Sequence, residues 1–371
     1  MLRISPLLES AAPYSQSFSQ RVDILRGDKV VMSNVPVAEG SISAYRNKSP
    51  RLSCSLTLAL EPWKPLPFGN NVHRVRIYRG VESLGRREVL QQGVFRIDDL
   101  DRNETGQVLL ECSGLEQYLI DARFIIPRVP PYGASTIGTI ANLIREVLPN
   151  ARIRFENTFN RAITTTDVWE KDRWDAIDDL AGSIEAEVYA DARGDFVVAD
   201  IPAVSGEPVI WMRQGEGGLQ VSQTDTSTRE QVYNAAVAMN QDSVPGKAPI
   251  WGWAYVDDPN SELYFYGDFG QVPRFHMSQF YTKSSQCTRY ARKLLIDAVA
   301  KNSGIKIATP ATVWWLEVGD LVGVDMLDGG QEVHLLNSME ADLGPEGAIE
   351  FETLTTKRAA RMDDFPEGEL S

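Results

Sequence analysis

The chain has 371 residues, 43% hydrophobic and 24% charged, a composition typical of folded proteins that excludes a disordered or fibrous one. Its formal net charge of −14 disfavours binding to nucleic-acid phosphates and to anionic membranes. No apolar stretch approaches the ~20 residues that cross a bilayer, and no secretory leader follows Met1. We therefore expect a soluble protein made in the cytoplasm, with two or three domains.

Strands dominate the first part of the chain. Between Arg51 and Leu60 every second residue is apolar, and this alternation predicts a strand with one face against a core and the other in water. A polar turn is predicted at residues 98–106. Closely spaced strands joined by polar turns are typical of an antiparallel barrel or sandwich. The other strands predicted here are Val75–Gly80, Gly93–Ile97 and Gln107–Cys112.

The middle of the chain predicts a small α+β module. Three prolines between residues 127 and 131 mark a connection. Ser135 is a candidate cap for a helix that Pro149 stops, and a second helix is predicted from Asp172, because apolar residues recur every three or four positions in both. Two short strands at 187–190 and 196–199, separated by a glycine-containing turn, predict a β-hairpin.

The last part returns to strands and contains one helix. The helix is predicted at Ser285–Lys301, with apolar residues at helical spacing and a glycine after its end. Residues from Lys357 onward are polar and are expected to fray. The strands predicted in this part are Gln231–Met239, Ile250–Val256, Val313–Leu316, Leu321–Met326, Val333–Met339 and Ala348–Thr355.

The cysteines and histidines predict no metal centre and no disulfide framework. Cys54, Cys112 and Cys287 lie far apart, include no CxxC pair and are odd in number, so each is interpreted as a small buried hydrophobic residue. The three histidines, at 73, 276 and 334, show neither HxH nor HExxH spacing. We interpret them as strand or loop residues with ordinary hydrogen bonds.

The acidic residues provide no recognisable catalytic pair. Adjacent carboxylates occur at 98–99, 178–179, 257–258 and 363–364, but neighbours in a strand or turn point in different directions and do not flank a bond as glycoside hydrolysis requires. The 178–179 doublet is interpreted as part of the solvent-exposed face of a helix. Residues Asp257–Glu262 are rich in oxygen ligands but lack the spacing of a calcium loop. We predict no catalytic, cofactor-binding or metal-binding residue.

Aromatic residues crowd one short region of the sequence. Such side chains stack on sugars, anchor protein interfaces or fill a β-sheet core. The pattern leaves all three open, and the core is the simplest for any single residue. The aromatic residues concerned are Trp251, Trp253, Tyr255, Tyr264, Phe265, Tyr266 and Phe269, with Trp314 and Trp315 further on.

Seven stretches, taken in order, resemble minor tail proteins of long-tailed bacteriophages. The match rests on the order of the stretches over about residues 20–355, and none of them is catalytic. The middle part is represented by a tryptophan-flanked segment and the hairpin that follows it, and the last part includes a Val-Gly-Asp turn. The stretches are Val75–Gly80, Gln92–Asp98, Leu119–Phe124, Trp169–Ile177, Tyr189–Val198, Val232–Val237 and Leu316–Val322.

The resemblance implies a tail hub, similar in fold to the baseplate hub of contractile-tailed phages. Such a chain is mainly β and holds two tube-type antiparallel β-barrel domains flanking a small α+β module. The domains would be a first barrel at 1–125, the α+β module with its hairpin at 126–206, a second barrel with one helix at 207–356, and a polar tail at 357–371. The helix is expected on the outside of the second barrel.

The family implies a structural protein of the virion rather than an enzyme. Three chains would form a pseudo-sixfold ring that joins the sixfold tail tube, or a distal tail protein, to threefold tip, fibre or tape-measure proteins. Genome DNA would pass through without specific binding, and acidic side chains lining the channel would repel its phosphates. No cofactor is expected, and the chain ends before any lysin or carbohydrate-binding extension.

Two other functions remain open at this point. A tail-associated glycan or peptidoglycan hydrolase would need two carboxylates or a metal assembled in a cleft. A carbohydrate-binding receptor module would use the aromatic residues between Trp251 and Phe269.

Overall fold

The computed structural model describes residues 2, 4–6, 12, 17–61, 65–83, 85–164, 168–202, 206–227, 232–240, 250–278, 281, 283–300, 303–344 and 347–355. The predicted polar tail at 357–371 lies outside the described residues, as does the acidic doublet at 363–364. Strands are the main element of the described chain. None of its described helices has the length and apolar character needed to span a membrane.

The strands in chain order are β1 (Ser17–Arg26), β2 (Lys29–Met32), β3 (Val37–Tyr45), β4 (Leu52–Ala59), β5 (His73–Ser83), β6 (Arg86–Arg102), β7 (Gln107–Ser113), β8 (Ile153–Glu156), β9 (Ala186–Ala190), β10 (Phe196–Asp200), β11 (Ile210–Met212), β12 (Ser222–Ser227), β13 (Ala235–Met239), β14 (Trp251–Tyr255), β15 (Pro273–Met277), β16 (Ser303–Thr309), β17 (Leu321–Asp325), β18 (Gln331–Asp342) and β19 (Ile349–Thr355). The helices are α1 (Glu116–Asp121), α2 (Thr136–Val147), α3 (Arg173–Ser183) and α4 (Ser284–Ala300).

One large sheet joins the first and last parts of the chain. Its strand order is β12-β16-β19-β18-β3-β4-β7-β6-β5-β1-β2, with β17 and β11 attached beside β18. The link between the two parts is the antiparallel pairing of β3 with β18, from Ser41 opposite Asp342 to Tyr45 opposite Ser338. Thirteen of the described strands therefore form one continuous, mainly antiparallel sheet, and no closed barrel is detected among them.

Alternating burial explains why these segments form strands. In β4 the side chains of Cys54, Leu56 and Leu58 are buried and the residues between them are not. Their partners on β7, Val108 to Cys112, follow the same alternation. Each fully buried leucine contributes about 1.5–3 kcal/mol to stability, because its apolar surface is removed from water. The predicted strand at Arg51–Leu60 is confirmed.

The strand β6 is longer than the sequence pattern predicted. It runs through the predicted polar turn as far as Arg102, and only residues 103–106 form the turn, held by Asn103, whose side-chain oxygen accepts from the Gln107 N–H at 2.9 Å. A bulge between Ile97 and Asp99 marks the point where β6 leaves β5 and continues beside β7 alone. After the bulge Asp99 and Asp101 are exposed to water, while Leu100 between them packs against the core.

The predicted α+β elements in the middle of the chain are confirmed. Ser135 caps α2 and its Oγ accepts from the Gly138 N–H at 3.3 Å. The second predicted helix is α3, and the hairpin is the antiparallel pair β9–β10, extended by the parallel strand β8. Helices α1, α2 and α3 share one apolar cluster with this sheet, whose fully buried members include Ile140, Ile177 and Phe196.

The helix near the end of the chain packs on strands of the same last part of the chain. Helix α4 packs on a separate three-stranded sheet of order β14-β13-β15 and shares a core with it, rather than lying on the large sheet. Gly252 explains the close approach of the helix, because a Cβ atom there would lie 2.4 Å from the Thr288 backbone nitrogen. Helical periodicity predicts an apolar face but does not specify the sheet that covers it.

The predicted strand at Val313–Leu316 is wrong. Ala311–Val313 form a single 3-10 turn after Pro310, and the two tryptophans that follow are buried in the apolar cluster under the last part of the large sheet. The neighbouring strand β16, which was not predicted, ends just before Pro310. Proline fixes its own φ and lacks an N–H, so the pairing with β19 stops there.

The cysteines occupy two of the cores. Cys54 and Cys112 are distant in sequence but lie directly opposite each other in the β4–β7 pairing, and Cys287 lies on α4 in the core between that helix and its sheet. All three thiols are free and buried, which confirms their interpretation as small buried residues. Burial raises the pKa of Cys54 well above its usual value, and raises that of Cys287 to about 11.

We expect these thiols to be unreactive in the folded protein. At pH 8 each should react with a thiol reagent at least about tenfold more slowly than an exposed cysteine, because burial blocks access to the thiol. For Cys54 and Cys287 the raised pKa also suppresses thiolate formation. Timed alkylation with mass spectrometry measures this, and a Val72→Cys variant supplies an exposed thiol as control. Labelling of the native cysteines as fast as residue 72 would contradict the buried assignment.

Candidate functional site

One face of the large sheet is broad and polar. Eight neighbouring strands, β12, β16, β19, β18, β3, β4, β7 and the last part of β6, turn alternate side chains into apolar cores and the others toward water. We call the water-facing side the acidic face. Its carboxylates are Glu39, Asp99, Asp101, Glu111, Glu340, Asp342, Glu350 and Glu352.

The strand register places these carboxylates in rows that cross the sheet. In one row Asp342 lies opposite Ser41, Ser41 opposite Ser55, Ser55 opposite Glu111, and Glu111 opposite Asp99. The row contains three carboxylates and two hydroxyls contributed by five strands. Because directly opposed side chains are close neighbours, the rows form a continuous hydroxylic and negatively charged surface.

The next row continues the same chemistry across the junction of the two parts of the chain. Glu350 lies opposite Glu340, Glu340 opposite Ser43, and Ser43 opposite Ser53. Opposed like charges weaken strand pairing. The direct opposition of Glu340 and Glu350 therefore has a cost to folding, which is consistent with selection of the surface charge for another purpose.

The cations on these rows are neutralised. Lys306, opposite Glu352, forms an ion pair with it at 2.8 Å. Arg96, at the far end beside β7, pairs with Asp98 at 2.6 Å and also with Asp121. The net charge of the acidic face is therefore strongly negative.

Hydroxyl groups hold several of the carboxylates in place. The Tyr45 hydroxyl donates to Glu340 at 2.5 Å, and the Ser55 hydroxyl donates to Glu111 at 2.8 Å. The hydrogen bond to Glu340 raises the pKa of Tyr45 to about 12. Carboxylates held in this way on an open sheet can repel an anion, but they do not enclose a substrate.

Sequence reasoning missed this face as a site. The signal was present in the polar positions of the alternating strands, which are Ser, Thr, Gln or Glu in β4, β7 and β19. Alternation shows that such residues share a face within one strand. It does not show that eight strands place those faces side by side.

A second feature is a buried arginine network where three parts of the fold meet. The Arg51 guanidinium donates to Glu187 on β9 at 3.2 Å and to the Val318 carbonyl at 2.6 Å, and it lies 3.8 Å from the centre of the Tyr189 ring. Arg46 also pairs with Glu187, at 3.5 Å. The network links the β3–β4 connection, the α+β module and the segment before β17.

The side chain of Glu116, on α1, connects the β3–β4 connection to β9. One carboxylate oxygen accepts from the Arg51 N–H at 3.2 Å and from the Ala190 N–H at 2.9 Å. The side chain is fully buried, and burial raises the pKa of Glu116 despite these hydrogen bonds. These hydrogen bonds hold the β3–β4 connection and β9 in a defined arrangement.

A polar cleft of about 510 Å³ lies beside this network. Several of its acidic groups are engaged in structural contacts: Glu187 with Arg51, and Asp191 with Arg154 at 2.8 Å and with two backbone N–H groups of its own turn. The remaining lining comes from all three parts of the fold. These contacts give the cleft walls a structural role in joining the parts.

The histidines lie at three separate places. His73 is on β5 beside Gly69, and His334 is fully buried on β18 with its Nδ1 2.8 Å from the Thr353 hydroxyl. His276 packs against Tyr290, and burial lowers the pKa of His276 to about 4, so it is neutral at pH 7. The described residues contain no group of three metal-ligating side chains.

The acidic doublets are also separate from one another. Asp98 pairs with Arg96, and the Asp258 side chain accepts from the Asn260 N–H at 2.9 Å, which is a local turn. The interpretation of residues 178–179 as part of a solvent-exposed helix face is wrong for Asp179. That side chain is half-buried between α3 and the segment after β15, where Ser278 donates a hydrogen bond to it.

The raised pKa of Asp179 predicts that the stability of the protein depends on pH. Burial, reinforced by the neighbouring Asp178, raises the pKa of Asp179 to about 7. A carboxyl whose pKa is higher in the folded state than in the unfolded state binds its proton more tightly in the folded protein. The folded protein therefore loses stability relative to the unfolded chain as pH rises from about 4 to about 7. The loss is limited because the side chain keeps partial contact with water.

We expect Asp179→Asn to remove this loss. At pH 8 the variant should be more stable than the wild type by about 1–2 kcal/mol, and at pH 4 the two should be equal. Urea unfolding at both pH values measures the difference. Asp258→Asn, in an exposed loop, serves as the matched control, and an equal gain in both variants would contradict the assignment.

Most of the aromatic residues predicted as a cluster pack on one another. Trp253 stacks on Tyr255 with ring centres 5.0 Å apart, and Phe265 lies edge-on to Trp253 at 5.6 Å. Tyr266 completes the group and is exposed. Trp314 and Trp315 lie elsewhere, in the core of the large sheet. The ring faces are therefore used mainly for internal packing.

The comparisons with known proteins identify structural relatives. No protein-family model and no curated relative match the sequence. The structure resembles a tail protein of Neisseria meningitidis MC58, with a TM-score of 0.65, 14% identity, and coverage of 95% of this chain and 99% of that one. It also resembles the 43 kDa tail protein of prophage MuSo2 from Shewanella oneidensis, with a TM-score of 0.59, 12% identity, and coverage of 93% and 99%.

A third similar structure is the prophage tail protein gp18 from Listeria monocytogenes EGD-e. The TM-score is 0.54 at 9% identity, with 92% of this chain and 96% of that chain covered. At such identities the likeness establishes a common fold. The chain therefore has the fold of phage tail proteins over nearly its whole length, which confirms the fold relationship that the sequence resemblance implied.

Proposed function

We propose that the chain is the structural hub of a phage tail tip. Three copies form a ring with pseudo-sixfold symmetry, which joins the sixfold tail tube, or a distal tail protein, to threefold tip, fibre or tape-measure proteins. DNA passes through the ring without specific binding. The observation that carries this proposal is the acidic face, a single polar sheet surface built equally by the first and last parts of the chain.

The strand order supports the pseudo-sixfold arrangement. Four strands from the first part (β3, β4, β7, β6) and four from the last (β18, β19, β16, β12) lie side by side, joined by the β3–β18 pair. Two four-strand units per chain make six such units in three copies. We assign these units to two tube-type barrel domains at 1–125 and 207–356, with the α+β module at 126–206 between them.

The chemistry of the acidic face supports its placement toward the channel. DNA carries about one negative charge per 1.7 Å of its length, and a wall of carboxylates repels it at short range. Serine and threonine hydroxyls between the carboxylates keep the wall hydrated. A lumen of this kind lets the genome slide without adhering.

The proposed role is structural and non-catalytic, and it places the protein in the virion. The buried Arg51 network keeps the three parts of each copy in one arrangement, as a load-carrying ring requires. No cofactor enters the proposed function.

Electron microscopy of the purified protein tests the ring directly. At high concentration, negative-stain images should show threefold rings with a central hole, and light scattering should give a mass of three chains. A protein that remains monomeric at every concentration, including in the presence of the adjoining tail tube protein, would contradict the proposal.

A further inference from the structure

A loop of the α+β module exposes large apolar side chains. The loop connects α1 to α2, and Ile125 is 99% exposed while Tyr132 is 71% exposed. Ile126 and Val129 between them are also exposed. We call these four residues the apolar knob. Contiguous exposed apolar side chains of this size mark interaction surfaces in folded proteins.

The knob is held in a fixed conformation. At its base Phe124 stacks on Trp169 with ring centres 6.0 Å apart, and Arg128 and Trp169 exchange two backbone hydrogen bonds of 3.0 and 2.8 Å. Prolines at 127, 130 and 131 restrict the loop further. A pre-formed loop loses little conformational entropy on binding, which favours a role in a stable contact.

A second apolar surface lies on a different part of the same chain. It is the face of the three-stranded sheet opposite α4, where Phe275 is 58% and Met277 56% exposed. The register places Phe275 beside Val237, and Met277 beside Met239, which is opposite Trp251. We call these five residues the apolar sheet face. It is broad and contains two methionines, whose flexible side chains adapt to an inserted group.

The charges beside the two surfaces are complementary. Between residues 122 and 135 the knob loop contains two arginines and no acidic residue, and both arginines remain substantially exposed although each has an ion-pair partner. The loop between β14 and β15, next to the apolar sheet face, contains four carboxylates at 257, 258, 262 and 268 and no cation.

We propose that the apolar knob of one copy docks on the apolar sheet face of the next copy. A closed ring of identical chains uses heterologous contacts, in which two different surfaces of each copy meet. The knob and the sheet face are two such surfaces, alike in chemistry and opposite in neighbouring charge. The inference rests on the proposed ring and names the surfaces that hold it together.

Cross-linking between variants that each carry one added cysteine tests the contact. Chains with Ile126→Cys are mixed with differently tagged chains with Phe275→Cys and oxidised mildly. Disulfides should form between the two kinds of chain and not between chains of one kind. Absence of the mixed product, or products only between identical variants, overturns the proposal. The native cysteines are buried and do not compete.

A charge placed on the knob gives a second measurement. Ile126→Asp should weaken ring assembly at least about tenfold, while the fold is kept because the side chain is exposed. Leu327→Asp, at an exposed position outside both surfaces, is the matched control and should assemble normally. Normal assembly of Ile126→Asp would overturn the contact and leave the ring intact. Absence of wild-type rings together with absence of cross-links would overturn both.

Discussion

Replacing Arg51 with alanine is expected to destabilise the protein by about 3 kcal/mol, since loss of one partner from a buried ion pair costs about 3–5 kcal/mol. The substitution removes the pair with Glu187, the hydrogen bond to the Val318 carbonyl and the stacking on Tyr189 in one step. Arg46 remains to neutralise part of the Glu187 charge, so the lower end of that range applies.

Arg289→Ala provides the comparison for this prediction. Arg289 also forms an ion pair across two parts of the fold, with Glu185 at 2.6 Å, but both side chains are largely exposed. Such a pair contributes about 0–1 kcal/mol. Urea unfolding followed by tryptophan fluorescence measures both variants. Equal losses in the two would show that burial of the Arg51 network adds nothing to stability.

Reversing the charge of the acidic face is expected to strengthen binding to duplex DNA relative to the wild type. A variant with Glu340→Lys, Asp342→Lys and Glu350→Lys should retain duplex DNA at least about tenfold more strongly at low salt, and the retention should fall steeply as salt increases, because counterion release drives it. Fluorescence anisotropy with labelled duplex DNA at two salt concentrations measures the effect.

The control carries the same charge change elsewhere. Glu104→Lys, Glu216→Lys and Asp328→Lys alter three exposed acidic residues that do not belong to the acidic face. This variant should bind DNA far less, since its charges are scattered rather than arranged in rows. Similar binding by the two variants would show that the acidic face is no different from the rest of the surface.

Several elements were predictable because their signals are local. Residues within a few positions of each other were enough to predict the strand around Leu56, the cap at Ser135 and the hairpin β9–β10. Alternating polarity selects a strand, a side-chain oxygen at the cap satisfies the first N–H groups of a helix, and a short turn joins neighbouring strands. Each depends on contacts along one segment of chain.

The sites were decided by contacts between distant segments. The pairing of β3 with β18 brings Ser41 opposite Asp342 and makes one acidic surface from two parts of the chain. The burial of Arg51 depends on Glu187 and Val318, and the position of α4 depends on Gly252.

The sequence by itself therefore determined that the chain is acidic, mainly β, and divided by an α+β segment, because composition and periodicity act locally. Which strands pair, which arginine becomes buried and which polar faces align were decided only by the tertiary structure. Strand edges and ionised side chains accept many partners, and the choice among them is made when the apolar faces of the whole chain are buried together.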